Sequence, residues 1–240
     1  MKIEVYFTTS EVEPSSFVES TAVIIDVVRA TTTIVEALAN GAGGIFPTSS
    51  TEDAVRLAVS LGREDALLCG ERKGEKVEGF DFGNSPGEFT EEAVAGKKLV
   101  MSTTNGTRAF SAAAEADRVL ACAFTNLGAV AGAVADVDTL VILCAGREGY
   151  FSFEDALCAG YLIGRIVDAR DEPPAMNDAA QATHVLAKGQ EVTRAFFDGT
   201  AAGRLLADVG LADDLNVCAD VDRHDIVPVM QDQTITIFGD

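Results

Sequence analysis

Short apolar runs alternate with helix-forming stretches along most of the chain, and that alternation restricts the fold more than any other feature. The runs are "IEVYF", "AVIIDVV", "GGIFP", "ALLCGE", "KKLVMST", "RVLACAF" and "TLVILCA". Between them lie amphipathic segments such as "ATTTIVEALAN", closed by Gly41, and "TEDAVRLAVSL", closed by Gly62. Continuous Val/Ile/Leu/Ala runs flanked by helices indicate strands buried on both faces. The expectation is an α/β layered fold with a mostly parallel or mixed sheet. From Pro173 onward the pattern turns largely helical, then ends in a predicted hairpin, "IVPVM" and "TITIF", around Gln231–Gln233. The 240 residues suffice for one domain or two closely packed α/β subdomains. A division would fall near 72–86 or 171–174.

Ligands of open α/β sheets bind beyond the carboxyl ends of the strands, and unusual polar residues gather there repeatedly. The second run ends in Asp26 and then Arg29–Thr33; "ALLCGE" gives Gly70, Glu71 and Arg72. "VMST" leads into Thr103–Thr107, "LACAF" into Thr125 and Asn126, and "VILCAG" into Gly146 and Arg147. Thr104 or Asn105 could simply cap a helix. Alternatively, Gly106 lets the backbone approach a phosphate at a helix N-terminus.

Asp26 emerges from an apolar strand, where an unpaired carboxylate costs several kcal/mol. Its partner is either Arg29 or a divalent cation. Val28 stands where haloacid-dehalogenase-type phosphatases carry a second aspartate, which argues against that chemistry. "GERKGEKVEGFDFGNSP", Gly70–Pro86, is a long loop of both charges, and Phe80 and Phe82 suggest that it folds back. Its Glu71 and Asp81 could converge on Asp26. Oxygen ligands from several segments suit Mg²⁺, or else the charges pair in solvent. Ser152 and Asp155 have capping-box spacing, with Glu154 and Asp155 also suiting the helix dipole and Glu154 on the strand-end side.

Charge narrows the partners. A net charge of −20 disfavours nucleic acid and anionic membranes, so an anionic ligand needs local attraction from a metal or arginines. No apolar run approaches the roughly 18 residues of a membrane span, and Met1–Glu4 enters a strand without a signal-peptide core. A soluble, cytoplasmic protein is expected. The five scattered cysteines read as reduced buried thiols. His184 and His224 look structural, and no zinc spacing, nucleophile elbow, Walker A loop or dinucleotide fingerprint is present.

The segments "IDVVRATTTIVEALANGA", "GERKGEKVEGFDFGNSPGEFT", "TTNGTRAF", "AFTNLGAVA" and "CAGREGYFSFEDALCAG" resemble the 2-phosphosulfolactate phosphatase family, in order from about Ala22 to Gly160. The resemblance implies an α/β, dimeric enzyme and Mg²⁺-dependent hydrolysis of (R)-2-phospho-3-sulfolactate to 3-sulfolactate and phosphate. In methanogens that reaction belongs to coenzyme M biosynthesis, and the family also occurs in bacteria that make no coenzyme M.

Resemblance and residues meet on metal-assisted phosphoryl transfer. Asp26 is the chief expected Mg²⁺ ligand, with Glu71, Asp81 and Glu154 or Asp155 as partners. Arg29, Arg72 and Arg108 are the candidate oxyanion clamps. Thr31, Thr32, Thr104, Asn105, Thr107 and Asn126 are candidate hydrogen-bonding residues, with Gly106 giving backbone access. Ser85 is the hydroxyl for a covalent route; direct attack by water is favoured because no activating base is evident. The alternatives are a phosphomonoesterase for another small phosphorylated acid and a non-catalytic phosphoanion-binding protein.

Overall fold

The apolar runs become strands of a single sheet. The computed structural model describes residues 1–239. In chain order, β1 (Lys2–Tyr6), β2 (Thr21–Ile25), α1 (Ala30–Ala39), β3 (Gly44–Pro47), α2 (Thr51–Leu61), β4 (Ala66–Arg72) and the short β5 (Glu75–Lys76) come first. They are followed by α3 (Glu91–Val94), β6 (Lys98–Ser102), α4 (Gly106–Ala112), β7 (Arg118–Cys122), α5 (Leu127–Ala133), β8 (Thr139–Cys144) and α6 (Phe153–Asp168). The C-terminal part holds β9 (Ala175–Met176), α7 (Asp178–Gly189), α8 (Arg194–Asp198), α9 (Ala201–Asp208) and α10 (Asp214–Cys218). It closes with β10 (Pro228–Gln231) and β11 (Thr234–Ile237).

The sheet has 11 strands in the order β5-β4-β6-β3-β11-β10-β7-β2-β8-β1-β9. β4, β6 and β3 run parallel, as do β7, β2, β8, β1 and β9. The C-terminal hairpin fills the gap between these sets, with β10 antiparallel to β7 and β11 antiparallel to β3. The expected hairpin therefore exists, but as the centre of the sheet and not as an appended edge. β2 also stops at Ile25, earlier than its apolar run suggests, because Asp26 turns the chain toward α1.

Central strands are apolar throughout because each face meets its own core. Val23 and Ile25 join Leu120, Ile142 and residues of α6 on one side. Ala22 and Ile24 join Ile34 and Leu38 of α1 and Phe110 of α4 on the other. That second core also takes Cys69 of β4, Leu99 and Met101 of β6 and Ile235 of β11. Six inter-strand steps separate β4 from β2, about 29 Å if the sheet were flat. Their ends nevertheless meet in one cavity, so the sheet curls around α1 and α4.

Residues 72–86 fold back against the strand ends. Phe80 is buried beside Ala54 and Ala58 of α2, and Phe82 lies 5.5 Å from Phe89. Residues 171–174 lead into β9, which pairs with β1. All five cysteines are free and buried, and burial pushes the thiols of Cys69, Cys144, Cys158 and Cys218 above their ordinary range. Among the described residues no helix is long and apolar enough to cross a membrane.

Candidate active site

The ends of β2, β4, β6 and β8 face a cavity of about 60 Å³, with α9 contributing Ala202, Leu205 and Leu206 to its wall. Asp26 lines it and is 7 % exposed. Its main-chain oxygen accepts hydrogen bonds from the amide and hydroxyl of Thr31, both at 2.9 Å, and its Oδ1 accepts one from the Ala30 amide at 3.3 Å. Its Oδ2 points toward the start of α4 and lies 2.8 Å from where a Cβ on Gly106 would stand. Gly106 thus lets α4 approach Asp26 and Ala30 closely, and does not itself line the cavity.

Burial is the main reason that the Asp26 carboxyl is pushed up to about 7, and the Glu71 charge adds to it. The Ala30 amide and Arg29 oppose the shift, while Glu154 reinforces it. Burial also raises the carboxyls of Glu154 and Asp155, the latter further repelled by Asp26 and Glu154. A cluster of acids with raised pKa values in one cleft marks a place where a cation or a proton is wanted.

Glu71 joins two loops. Its Oε1 accepts from the Thr104 amide at 2.7 Å and its Oε2 from the Gly74 amide at 2.8 Å. Arg29 is 3 % exposed and does not pair with Asp26. It donates from Nη1 to Asp214 Oδ2 at 2.6 Å and from Nη2 to the Gly74 oxygen at 2.7 Å. Asp214 lies 185 residues away in sequence, at the start of α10, and its Oδ1 also accepts from the Ser85 hydroxyl. A carboxylate therefore does stand beside Ser85, contrary to the sequence reading that no such group is evident. Ser85 itself opens onto a neighbouring cavity of about 320 Å³.

Of the remaining candidates, Thr104, Asn105, Glu154 and Asp155 line the central cavity. The Thr104 hydroxyl and the Asn84 side-chain oxygen are buried there without a hydrogen-bond partner. Asn105 accepts from the Glu148 amide at 3.2 Å. Asp155 accepts from the amides of Val27 at 2.8 Å and Gly146 at 3.3 Å, so it ties two strand ends together. Ser152 caps α6 as its spacing suggests.

Several candidates serve the frame instead. The hydroxyls of Thr32 and Thr107 donate to the carbonyls of Val27 and Thr103. Arg72 does not line the cavity and donates to Ser102 Oγ at 2.9 Å and to the Glu71 and Ser102 carbonyls. Asn126 holds the chain end of β7 through Ala123, Ala121 and Ile226. Asp81 pairs with Arg63 at 2.8 Å and accepts from the Leu68 amide, outside the cavity. Arg108 is exposed and also outside. Lys73, Asn84, Glu148 and Asp214 were not among the expected site residues, nor was Arg147 beyond its place at a strand end. Asp214 sits in an ordinary acidic run, and only the fold brings it to Arg29.

Among the described residues no three His, Cys, Asp or Glu side chains are already gathered as a metal cage. What is present suits a different kind of ion. Mg²⁺ keeps several waters and takes one or two carboxylates together with substrate phosphate oxygens. Asp26 Oδ2, which accepts no protein hydrogen bond among the described residues, and the nearby Glu154 supply hard oxygen donors of that kind on the wall of the cavity.

This fold and site define an α/β protein with a small polar cavity at the strand ends, lined by carboxylates, cations and the starts of α1 and α6. More particularly, the chain belongs to the 2-phosphosulpholactate phosphatase family, whose model matches residues 6–233. It is similar to proteins named "Probable 2-phosphosulfolactate phosphatase" from three bacteria. The Clostridium novyi protein is 38% identical over 237 residues, covering 98% of this chain and 100% of the relative. That of Caldanaerobacter subterraneus subsp. tengcongensis is 38% identical over 245 residues, covering both chains completely. That of Thermotoga petrophila is 38% identical over 220 residues, covering 90% of this chain and 92% of the relative. The family is one of phosphoric monoester hydrolases, and the resemblance noted in the sequence is borne out over the whole chain.

Proposed function

We propose that the chain hydrolyses (R)-2-phospho-3-sulfolactate to 3-sulfolactate and phosphate, with Mg²⁺ as cofactor. The observation that carries this reading is the convergence of Asp26, Glu71 and Glu154 on one small cavity, in a chain of this family. Asp26 and Glu154 would hold the ion, which when bound neutralises phosphoryl oxygens and lowers the pKa of coordinated water. Without a cation these carboxylates would repel the ester.

Arg29 spends N–H groups on Asp214 and the Gly74 carbonyl, which fixes its plane and leaves the rest of its five donors for an oxyanion. The partnerless Thr104 hydroxyl supplies a hydrogen bond to a phosphoryl oxygen, and Glu71 holds Thr104 in place through its amide. The N-termini of α1 and α6 add positive potential. Direct attack by water remains the favoured route, because Ser85 lies in the adjoining cavity with its hydroxyl on Asp214.

Phosphate release from 2-phosphosulfolactate by the purified protein tests the reading. Turnover with Mg²⁺ that EDTA abolishes is the expected result. No release with Mg²⁺, or release indifferent to EDTA, would overturn it.

A further inference from the structure

We propose that Lys73 and Arg147 determine the specificity of this site, by binding the acid groups of the substrate that stay with the alcohol product. This assignment rests on the phosphatase reading above. It begins from charge. With a net −20, cations are scarce, yet Lys73, Arg147 and Arg29 all line the same cavity. Arg29 is already matched by Asp214 at 2.6 Å. Lys73 and Arg147 form no side-chain ion pair or hydrogen bond among the described residues, although carboxylates surround them. Arg147 acts on Glu154 only through space, and two cations facing a ligand cavity without a directly bonded partner are positions where a ligand's charge is expected.

Their backbones are held firmly. Lys73 has φ +55 and Gly74 φ +88, in the tight turn between the paired strands β4 and β5. Gly74 is anchored at both ends, its amide on Glu71 and its carbonyl on Arg29. Arg147 sits in an equally tight loop, exchanging two 2.9 Å hydrogen bonds with Tyr150. Gly146 before it has φ +65, and a Cβ there would come within 2.6 Å of the Tyr150 oxygen. Both cations are thus presented from short turns at the ends of two different strands, β4 and β8. Such mounting lowers the ordering cost of binding.

The acidic groups at the cavity explain why separate cations are needed. A divalent ion on Asp26 and Glu154 would be balanced by those two carboxylates, which leaves much of the ester's own charge to other groups. A carboxylate or sulfonate on the same molecule would still face Glu71, Glu148 and Asp155. Lys73 and Arg147 supply the missing counter-charge, and they favour esters with acidic tails over esters with neutral ones.

Glycerol 2-phosphate provides the comparison, since hydroxymethyl groups replace both acid-bearing arms around the same phosphorylated carbon. The measured quantity is the ratio of kcat/KM for 2-phosphosulfolactate to that for glycerol 2-phosphate, with Mg²⁺. Lys73→Gln and Arg147→Gln should each lower this ratio about tenfold or more, the loss of one charge-assisted contact. Arg147→Lys should restore part of it. Arg108→Gln, the same charge change outside the cavity, should leave the ratio within about twofold of the parent. A parental ratio in either cavity variant, or an equal fall in Arg108→Gln, would overturn the assignment. Failure of the parent protein to release phosphate from either ester would defeat the phosphatase reading itself, and this assignment with it.

Discussion

Asp26 Oδ2 and Gly106 are separated by so little that a Cβ on the glycine would sit 2.8 Å from the carboxylate oxygen and 2.5 Å from the Ala30 methyl. The end of β2 and the start of α4 therefore pack directly, across a curled sheet, and that close approach exists only because residue 106 has no side chain. Gly106→Ala should push Asp26 and α1 aside. We expect phosphatase activity to fall by about tenfold or more, with a stability loss of about 1–3 kcal/mol. Steady-state kinetics beside urea denaturation measures both.

Asp214 and Arg29 are both buried, at 9% and 3% side-chain exposure. Removing one member of such a pair strands the other charge in a poorly solvated place, which costs about 3–5 kcal/mol. Asp214→Ala should accordingly be destabilised by roughly that amount in urea unfolding. A change under 1 kcal/mol, roughly the range of an exposed pair, would mean that Arg29 finds other solvation.

The metal-free protein should lose stability as pH rises from about 4 to about 7. Asp26 titrates near 3.8 when unfolded and near 7 when folded, with Glu154 and Asp155 shifted in the same direction. Across that window the folded state holds more protons than the unfolded one, so raising the pH favours unfolding, by an amount on the order of a few kcal/mol. Thermal melts in EDTA should show the slope, and Asp26→Asn should flatten it. Mg²⁺ should raise the melting temperature more at pH 8 than at pH 5.

Asp81→Asn should leave kcat/KM within about twofold, because its partners are Arg63 and the Leu68 amide at a half-exposed surface. A large loss would place Asp81 back among the site residues.

Most of the strand and helix pattern was legible because central strands, covered on both faces, must be apolar throughout. Val23 and Ile25 face one core while Ala22 and Ile24 face another. The position of the hairpin was not legible, since pairing of β10 with β7 and β11 with β3 is decided by an opening that other strands leave. Asp26 and Glu71 stood out as carboxylates at the ends of apolar runs. Asp81 stood out instead as a carboxylate on the long charged loop, yet the turn of that loop gives it to Arg63. Asp214 and Lys73 carry no local signal: one is an acid among acids, and the other owes its place to a left-handed turn. Asn126 and the hydroxyls of Thr32 and Thr107 look like ligand contacts in sequence, because capping a chain end and binding an anion use the same residue types.

If Asp26 holds the cation that admits a phosphate ester to so acidic a protein, turnover requires its carboxylate. Phosphate release from 2-phosphosulfolactate at saturating Mg²⁺, compared between the parent and a folded Asp26→Asn variant, tests it most directly. The predicted result is a loss of about a hundredfold or more, with an unchanged circular dichroism spectrum. Turnover by Asp26→Asn at the parental rate would contradict it.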